Sequence, residues 1–190
     1  PLLFTPVHIA FLELIIDPVC SIVFEAEAAE PRVMQRPPHK PGTPLLSRGL
    51  LMGSVAQGGL ILAVVSTVYA TLLATQASEA EARTGSFVAL VACNIGLILG
   101  NRSQGSNMLA TVLRPNRAFW IMLAATSSLL AVVLHWAPAT SLFRFAPLPA
   151  SSLWACAALG LGVWVVLELG KWAAGRVQRP ADGSPESRAH

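Results

Sequence analysis

Two carboxylates stand four residues apart in an otherwise apolar run, Phe11-Leu12-Glu13-Leu14-Ile15-Ile16-Asp17-Pro18-Val19-Cys20. A spacing of four places both on one face of a helix. The Leu, Ile and Val around them read as a membrane span. A charge at bilayer depth costs about 2.5 to 3.5 kcal/mol on insertion scales. Such a cost is seldom carried without a partner, and the natural partner of two carboxylates is a cation.

The residue after Asp17 sharpens this reading. Pro18 has no N–H, so the carbonyl of Leu14 loses its usual helical donor. A residue before proline is pushed away from helical geometry, so the helix is expected to break beside the acid. Freed carbonyl oxygens next to a carboxylate are good ligands for a hard cation. Broken helices at membrane depth are a known device for ion sites. Cys20 continues the stripe of Glu13 and Asp17, but a lone Cys beside two carboxylates makes a poor soft-metal site. Asn94, inside a later apolar segment, could supply a further oxygen. The candidate metal ligands are therefore Asp17, Glu13 and Asn94. Each has a plainer reading too. A lone intramembrane acid can be protonated and hydrogen-bonded between helices, and an Asn can join helices.

The elements that must position these groups are membrane helices. Of the 190 residues 54% are hydrophobic and only 12% charged, and the mean hydropathy is +0.59. That balance excludes an ordinary soluble domain. The expected class is all-α, a polytopic membrane helix bundle of about five spanning helices. The first span runs over 5–24, the second over 50–73 and the third over 87–100 with its flanks. The fourth covers 119–136 and the fifth 153–169, lengths that suit a bilayer.

Basic residues orient the spans. Loop one carries Arg32, Arg36, Lys40 and Arg48, and loop three carries Arg102, Arg114 and Arg117. The tail carries Lys171, Arg176, Arg179 and Arg188, whereas loops two and four hold only Arg83 and Arg144. The expected arrangement is a multi-pass protein of the cell membrane with its N-terminus outside and its C-terminus cytoplasmic. No Lys/Arg-rich leader precedes the first span, and the chain reads as starting in an outer loop of something larger. Its parts are 1–24, an ion-site helix with an outer lead-in; 25–49, a cytoplasmic loop; 50–175, a four-helix supporting bundle; and 176–190, a disordered tail.

Smaller features complete the pattern. Trp120, Trp136, Trp154 and Trp172 fall near span ends, where Trp anchors at the interface. Gly58, Gly59, Gly96, Gly100, Gly160 and Gly162 allow helices to approach closely. Glu168 and Lys171 are spaced for a helix-end ion pair. Cys20, Cys93 and Cys156 read as small buried apolar residues. The basic residues form no nucleic-acid patch, the four His share no metal-ligand spacing, and no Gly-rich phosphate loop, nucleophile elbow or HExxH occurs.

One stretch resembles a known family. Pro6-Val-His-Ile-Ala-Phe-Leu-Glu-Leu-Ile-Ile-Asp17, Phe24-Glu-Ala-Glu-Ala-Ala-Glu-Pro31 and Met34-Gln-Arg-Pro-Pro38 look like the C-terminal part of cation-transporting P-type ATPases, the calcium-pump branch and its bacterial relatives. The resemblance is specific over residues 6–38, and beyond them it rests on span count, spacing and orientation. It implies that the five spans are helices six to ten of a pump. In that family the sixth helix reads Asn-x-x-Thr-Asp. Here Glu13 stands at the Asn position, Ile16 at the Thr position and Asp17 at the Asp position, while Pro18 replaces a Gly. Asn94 falls near a Glu that helps bind calcium in the eighth helix. The departures leave open the number of ions and their kind, since an extra carboxylate also suits counter-transported protons or another divalent ion.

The resemblance further implies partners: the bilayer, the transported cation, and the remaining helices and cytoplasmic domains of a parent pump. ATP and Mg2+ are cofactors of that parent, with calcium a possible cargo, and the segment itself is expected to hold none. The phosphorylated Asp-Lys-Thr-Gly-Thr motif does not occur in these residues, so any enzymatic activity belongs to the parent. A freestanding secondary carrier or channel is the alternative, and needs an inverted repeat or a second acidic broken helix. A non-transporting membrane scaffold is the other.

Overall fold

A computed structural model of the chain describes residues 4–26, 48–102 and 116–177. Much of loop one, most of loop three and the tail lie outside the described residues. So do the expectations of a cytoplasmic loop and a disordered end.

Six α-helices form the described structure. They are α1 (Pro6–Pro18), α2 (Arg48–Ala74), α3 (Glu79–Arg102), α4 (Arg117–His135), α5 (Ala137–Phe143) and α6 (Ala150–Val177). A π-helical turn, Val19–Val23, prolongs α1. Five segments are long and apolar enough to cross a membrane: Pro6–Val23, Arg48–Ala74, Glu79–Arg102, Arg117–His135 and Ala150–Ala173. The all-α, five-span reading therefore holds. At 27 residues, α2 is about 40 Å long, more than a hydrocarbon core about 30 Å thick requires.

The third helix is the centre of the bundle. More than half of its apolar window is buried, against about a quarter or less in the other spans. It packs against both α6 and α2. It also begins eight residues before Phe87, where the apolar run starts. The cause is a capping box: the Ser78 N–H donates to Glu81 Oε2 at 2.7 Å, and the Glu81 N–H donates to Ser78 Oγ at 3.2 Å. Reciprocal caps of this kind start a helix outside its hydrophobic stretch.

Glycine sets the α3–α6 distance. A Cβ on Gly96 would overlap the Gly160 carbonyl oxygen, and one on Gly160 would overlap that of Ala92. The two backbones touch, which only small residues permit. Gly58, Gly59 and Gly162 have open space around them instead. The expectation of close approach fails there within this chain, because those positions face outward. At the far end of the pair, Lys171 Nζ donates to the Gly100 carbonyl and forms the anticipated ion pair with Glu168 at 3.1 Å. Cys93 and Cys156 are buried and free, as expected of small apolar residues. Trp120, Trp136, Trp154 and Trp172 are all exposed near helix ends, as interfacial anchors should be.

An aromatic cluster closes one end of the bundle. Phe4, Phe11, Phe87, Phe143 and Phe145 stack edge-on and tilted around His8, with ring centroids 5.1 to 6.2 Å apart. Two of these rings come from α5 and its exit, an element hidden from hydropathy by its shortness and started by Pro138 in the first turn. His8 is fully buried. Its Nδ1 accepts from the Thr5 N–H at 3.1 Å and lies 2.8 Å from Thr5 Oγ1. A backbone N–H can only donate, so Nδ1 is the acceptor and Nε2 carries the hydrogen. Nε2 has no hydrogen-bond partner among the described residues and lies among the rings, a setting that N–H groups tolerate. His8 thus acts as the third-residue half of a capping box on Thr5, with Pro6 in its favoured first position. Two substitutions separate packing from capping. His8→Ala should destabilise the folded protein by about 3 kcal/mol, as other aromatic truncations do. His8→Phe should lose only the cap, about 1 kcal/mol. Thermal unfolding in detergent reads both, and equal effects would refute the division.

Candidate functional site

The carboxylates stand where the helical repeat puts them. On α1 the buried side chains are His8, Phe11 and Ile15, while Glu13 and Asp17 are exposed. At 100° per residue the acids centre about 170° from that buried stripe. One face of α1 therefore docks on the bundle, and the opposite face presents both acids outward, about 40° apart around the helix.

The expected break beside Asp17 does not occur. The helix does not unwind at the Asp17–Pro18 bond. It runs through Pro18 and continues as the π turn Val19–Val23. A π turn pairs each carbonyl with the N–H five residues on, which shifts the pairing register around the donor that proline lacks. Ser21 adds a side-chain bond from its Oγ to the Asp17 carbonyl. The break expected beside Asp17 is thus absent, and the winding changes only after Pro18. The side chain of Cys20 lies outside the described residues.

The third candidate sits elsewhere. Asn94, half-buried on α3, lines an apolar cavity with Leu12, Ile15 and Ile16 of α1 and Phe119 and Thr126 of α4. Glu13 and Asp17 do not line it. Ile16 stands between the two regions, with its side chain on the cavity wall and its helical position next to both acids. Glu13 and Asp17 thus share the outward face of α1, while Asn94 lines a cavity that Ile16, but neither acid, borders. Among the described residues, no three His, Cys, Asp or Glu side chains converge. The acid pair is accordingly part of a coordination shell at most, since a hard divalent ion takes six to eight oxygens or an octahedron of them.

Two features just beyond the C-terminal end of α1 carried no sequence signal of their own. Asn116 is buried and its side-chain oxygen accepts from the Phe119 N–H at 3.0 Å, capping α4. Its amide nitrogen donates to the carbonyl of Val23 at 3.1 Å. Beside it the Arg102 guanidinium lies 4.6 Å over the Phe119 ring, a cation–π contact. The 93-residue reach from Asn116 to Val23 leaves no local pattern in the sequence.

Five helices long and apolar enough to cross a membrane, one of them bearing paired acids and running into a π turn, mark a multi-pass membrane protein. The family is shown by comparison: the family described as cation transporting ATPase, C-terminus, matches residues 1–173, and the chain belongs to it. No curated protein matches the chain. The resemblance read from residues 6–38 thus extends over nearly all of the described helices.

Proposed function

We propose that the chain is the C-terminal membrane domain of an ATP-driven cation pump, carrying a divalent ion of calcium-like character, and that Asp17 and Glu13 are ligands of that ion. The observation that carries this reading is the split of α1 into a docked apolar face and an opposite face bearing both acids. Charges at that depth face a bundle interior or a polar chamber rather than lipid. In the parent protein, the remaining membrane helices would close over this face and complete the shell. Asn94 would add its amide oxygen from α3 across Ile16.

The other parts have supporting roles. Helices α4 and α5 contact α1 directly, and Phe87 of α3 packs on Phe11. The π turn next to Asp17 offers carbonyl oxygens in a changed register, and such turns cluster at functional sites. Phosphorylation in the parent's cytoplasmic domains, with ATP and Mg2+ bound there, would rock the helices and switch access to the acids from one side to the other. The concentration of Lys and Arg in loops one and three and the tail supports a cell-membrane protein with an outer N-terminus and a cytoplasmic C-terminus.

Ile16 offers a test of ion preference. Ile16→Thr places a hydroxyl between Asp17 and the Asn94 cavity. One added oxygen ligand of this kind should change the calcium-to-manganese ratio of half-saturating concentrations about fivefold, the equivalent of one hydrogen bond near 1 kcal/mol. Ion-stimulated ATP hydrolysis by the full-length protein measures it, and an unchanged ratio would place position 16 outside the coordination shell. The broader assay covers calcium, manganese, magnesium and pH, and a parent protein with no ion-stimulated hydrolysis would overturn the proposal.

A further inference from the structure

We infer that Asn116 is a positioning residue for the ion site: it fastens the end of the π turn in the acid-bearing helix to the first turn of α4, and so fixes the rotation of Asp17. The inference rests on the reading of Asp17 as a ligand. It begins from the unequal chemistry of the two ends of one amide. The Phe119 N–H can only donate, so the atom it meets at 3.0 Å is the Asn116 oxygen. The nitrogen must then face Val23, whose carbonyl can only accept, at 3.1 Å. The amide orientation is thereby settled by its neighbours and not by choice.

The bond has a structural purpose on each side. The last carbonyls of a helix have no donor of their own. The Ile22 carbonyl is taken by the Ala26 N–H at 3.0 Å, and that of Val23 is taken by Asn116. Val23 and Asn116 are both buried, at 0% and 3% exposure, so water does not substitute for either. Val23 packs in the same apolar cluster as Phe119, Phe11 and Ile15. The tether therefore joins the α1 rod to the bundle at a point six residues past Asp17, while His8 and Phe11 hold the rod at its other end. A π turn is rare within helices and occurs most often at functional sites. With its far end held, rotation in the turn is transmitted to Asp17 only against α4.

A substitution separates the tether from the cap. Asp is as good an N-cap as Asn, but a carboxylate cannot donate to the Val23 carbonyl. Asn116→Asp should keep α4 capped and free the π turn. In the full-length pump, calcium and manganese are titrated separately against ATP hydrolysis, with Asp17→Asn and Asn116→Ala run beside it. The half-saturating concentration should rise about tenfold in Asn116→Asp, the worth of one well-made buried hydrogen bond, with the maximal rate held and the thermal midpoint lowered because the buried Val23 carbonyl loses its donor. Asn116→Ala, which also loses the cap, should show the same shift with a still lower thermal midpoint. An unchanged half-saturation in Asn116→Asp, while Asp17→Asn abolishes the ion response, overturns the positioning role alone. An ion response that survives Asp17→Asn unaltered overturns the ligand assignment, and the positioning role with it.

Discussion

Asp17→Asn in the full-length pump should abolish ion-dependent phosphorylation over the accessible concentration range, a loss of at least about a hundredfold in apparent affinity, near 2.7 kcal/mol. The substitution keeps the size of the side chain and one oxygen, and removes the charge. Where water is scarce that charge dominates the attraction for a cation. A structural role predicts the opposite pattern. Asp17 is exposed in this chain and receives no side-chain hydrogen bond among the described residues, so neutralising it removes a membrane-depth charge and should leave thermal stability equal or higher. Loss of ion dependence with unimpaired folding identifies a ligand. Normal ion dependence, or a fall in stability that explains the loss, would refute the assignment.

The largest structural effect is expected at the α3–α6 crossing. Gly160→Leu should destabilise the folded membrane domain by about 3 kcal/mol or more, at the upper end for overpacking. The reason is that the atoms in the way are backbone. A Cβ at position 160 meets the carbonyl group of Ala92, and a Cβ at position 96 meets that of Gly160. Neither can move without separating two long helices, and that separation also pulls Lys171 from the Gly100 carbonyl. Two residues along the same helix, Gly162 has nothing near it, so Gly162→Leu should change stability by less than about 0.5 kcal/mol, like other open surface positions. Size-exclusion profiles and thermal unfolding in detergent compare the pair. Equal tolerance at 160 and 162 would show that the backbone contact does not hold the bundle.

Much of this architecture is readable from residue types alone, because a bilayer allows few solutions. Twenty apolar residues in a row must be helical, and all five spans lie where hydropathy places them. Gly96 and Gly160 are legible as close-approach residues, and Glu168 with Lys171 as an ion pair, because each depends on spacing within one helix or a simple size rule. Glu13 and Asp17 are legible as a pair for the same reason. Pro18 predicts a break beside Asp17, but the helix runs through it and the winding changes only afterwards, in the π turn. What distance along the chain hides is equally specific. Position 8 meets residues 143 and 145 in the aromatic cluster, and Asn116 reaches Val23. Neither juxtaposition leaves a local pattern. Asn94 shows the same limit: its helix and depth follow from sequence, while its turn toward the Ile16 cavity depends on how α1 and α4 dock.

Equilibrium binding of a divalent ion to the purified full-length protein, in the absence of ATP, reaches the acid pair most directly. Calcium and manganese binding are compared between the unmodified protein and the double variant Glu13→Ala, Asp17→Ala, each checked for folding by thermal unfolding. If the outward face of α1 grips the transported ion, the unmodified protein takes up at least one ion that the folded double variant does not. Undiminished binding by the double variant would mean that these carboxylates are not where the ion sits.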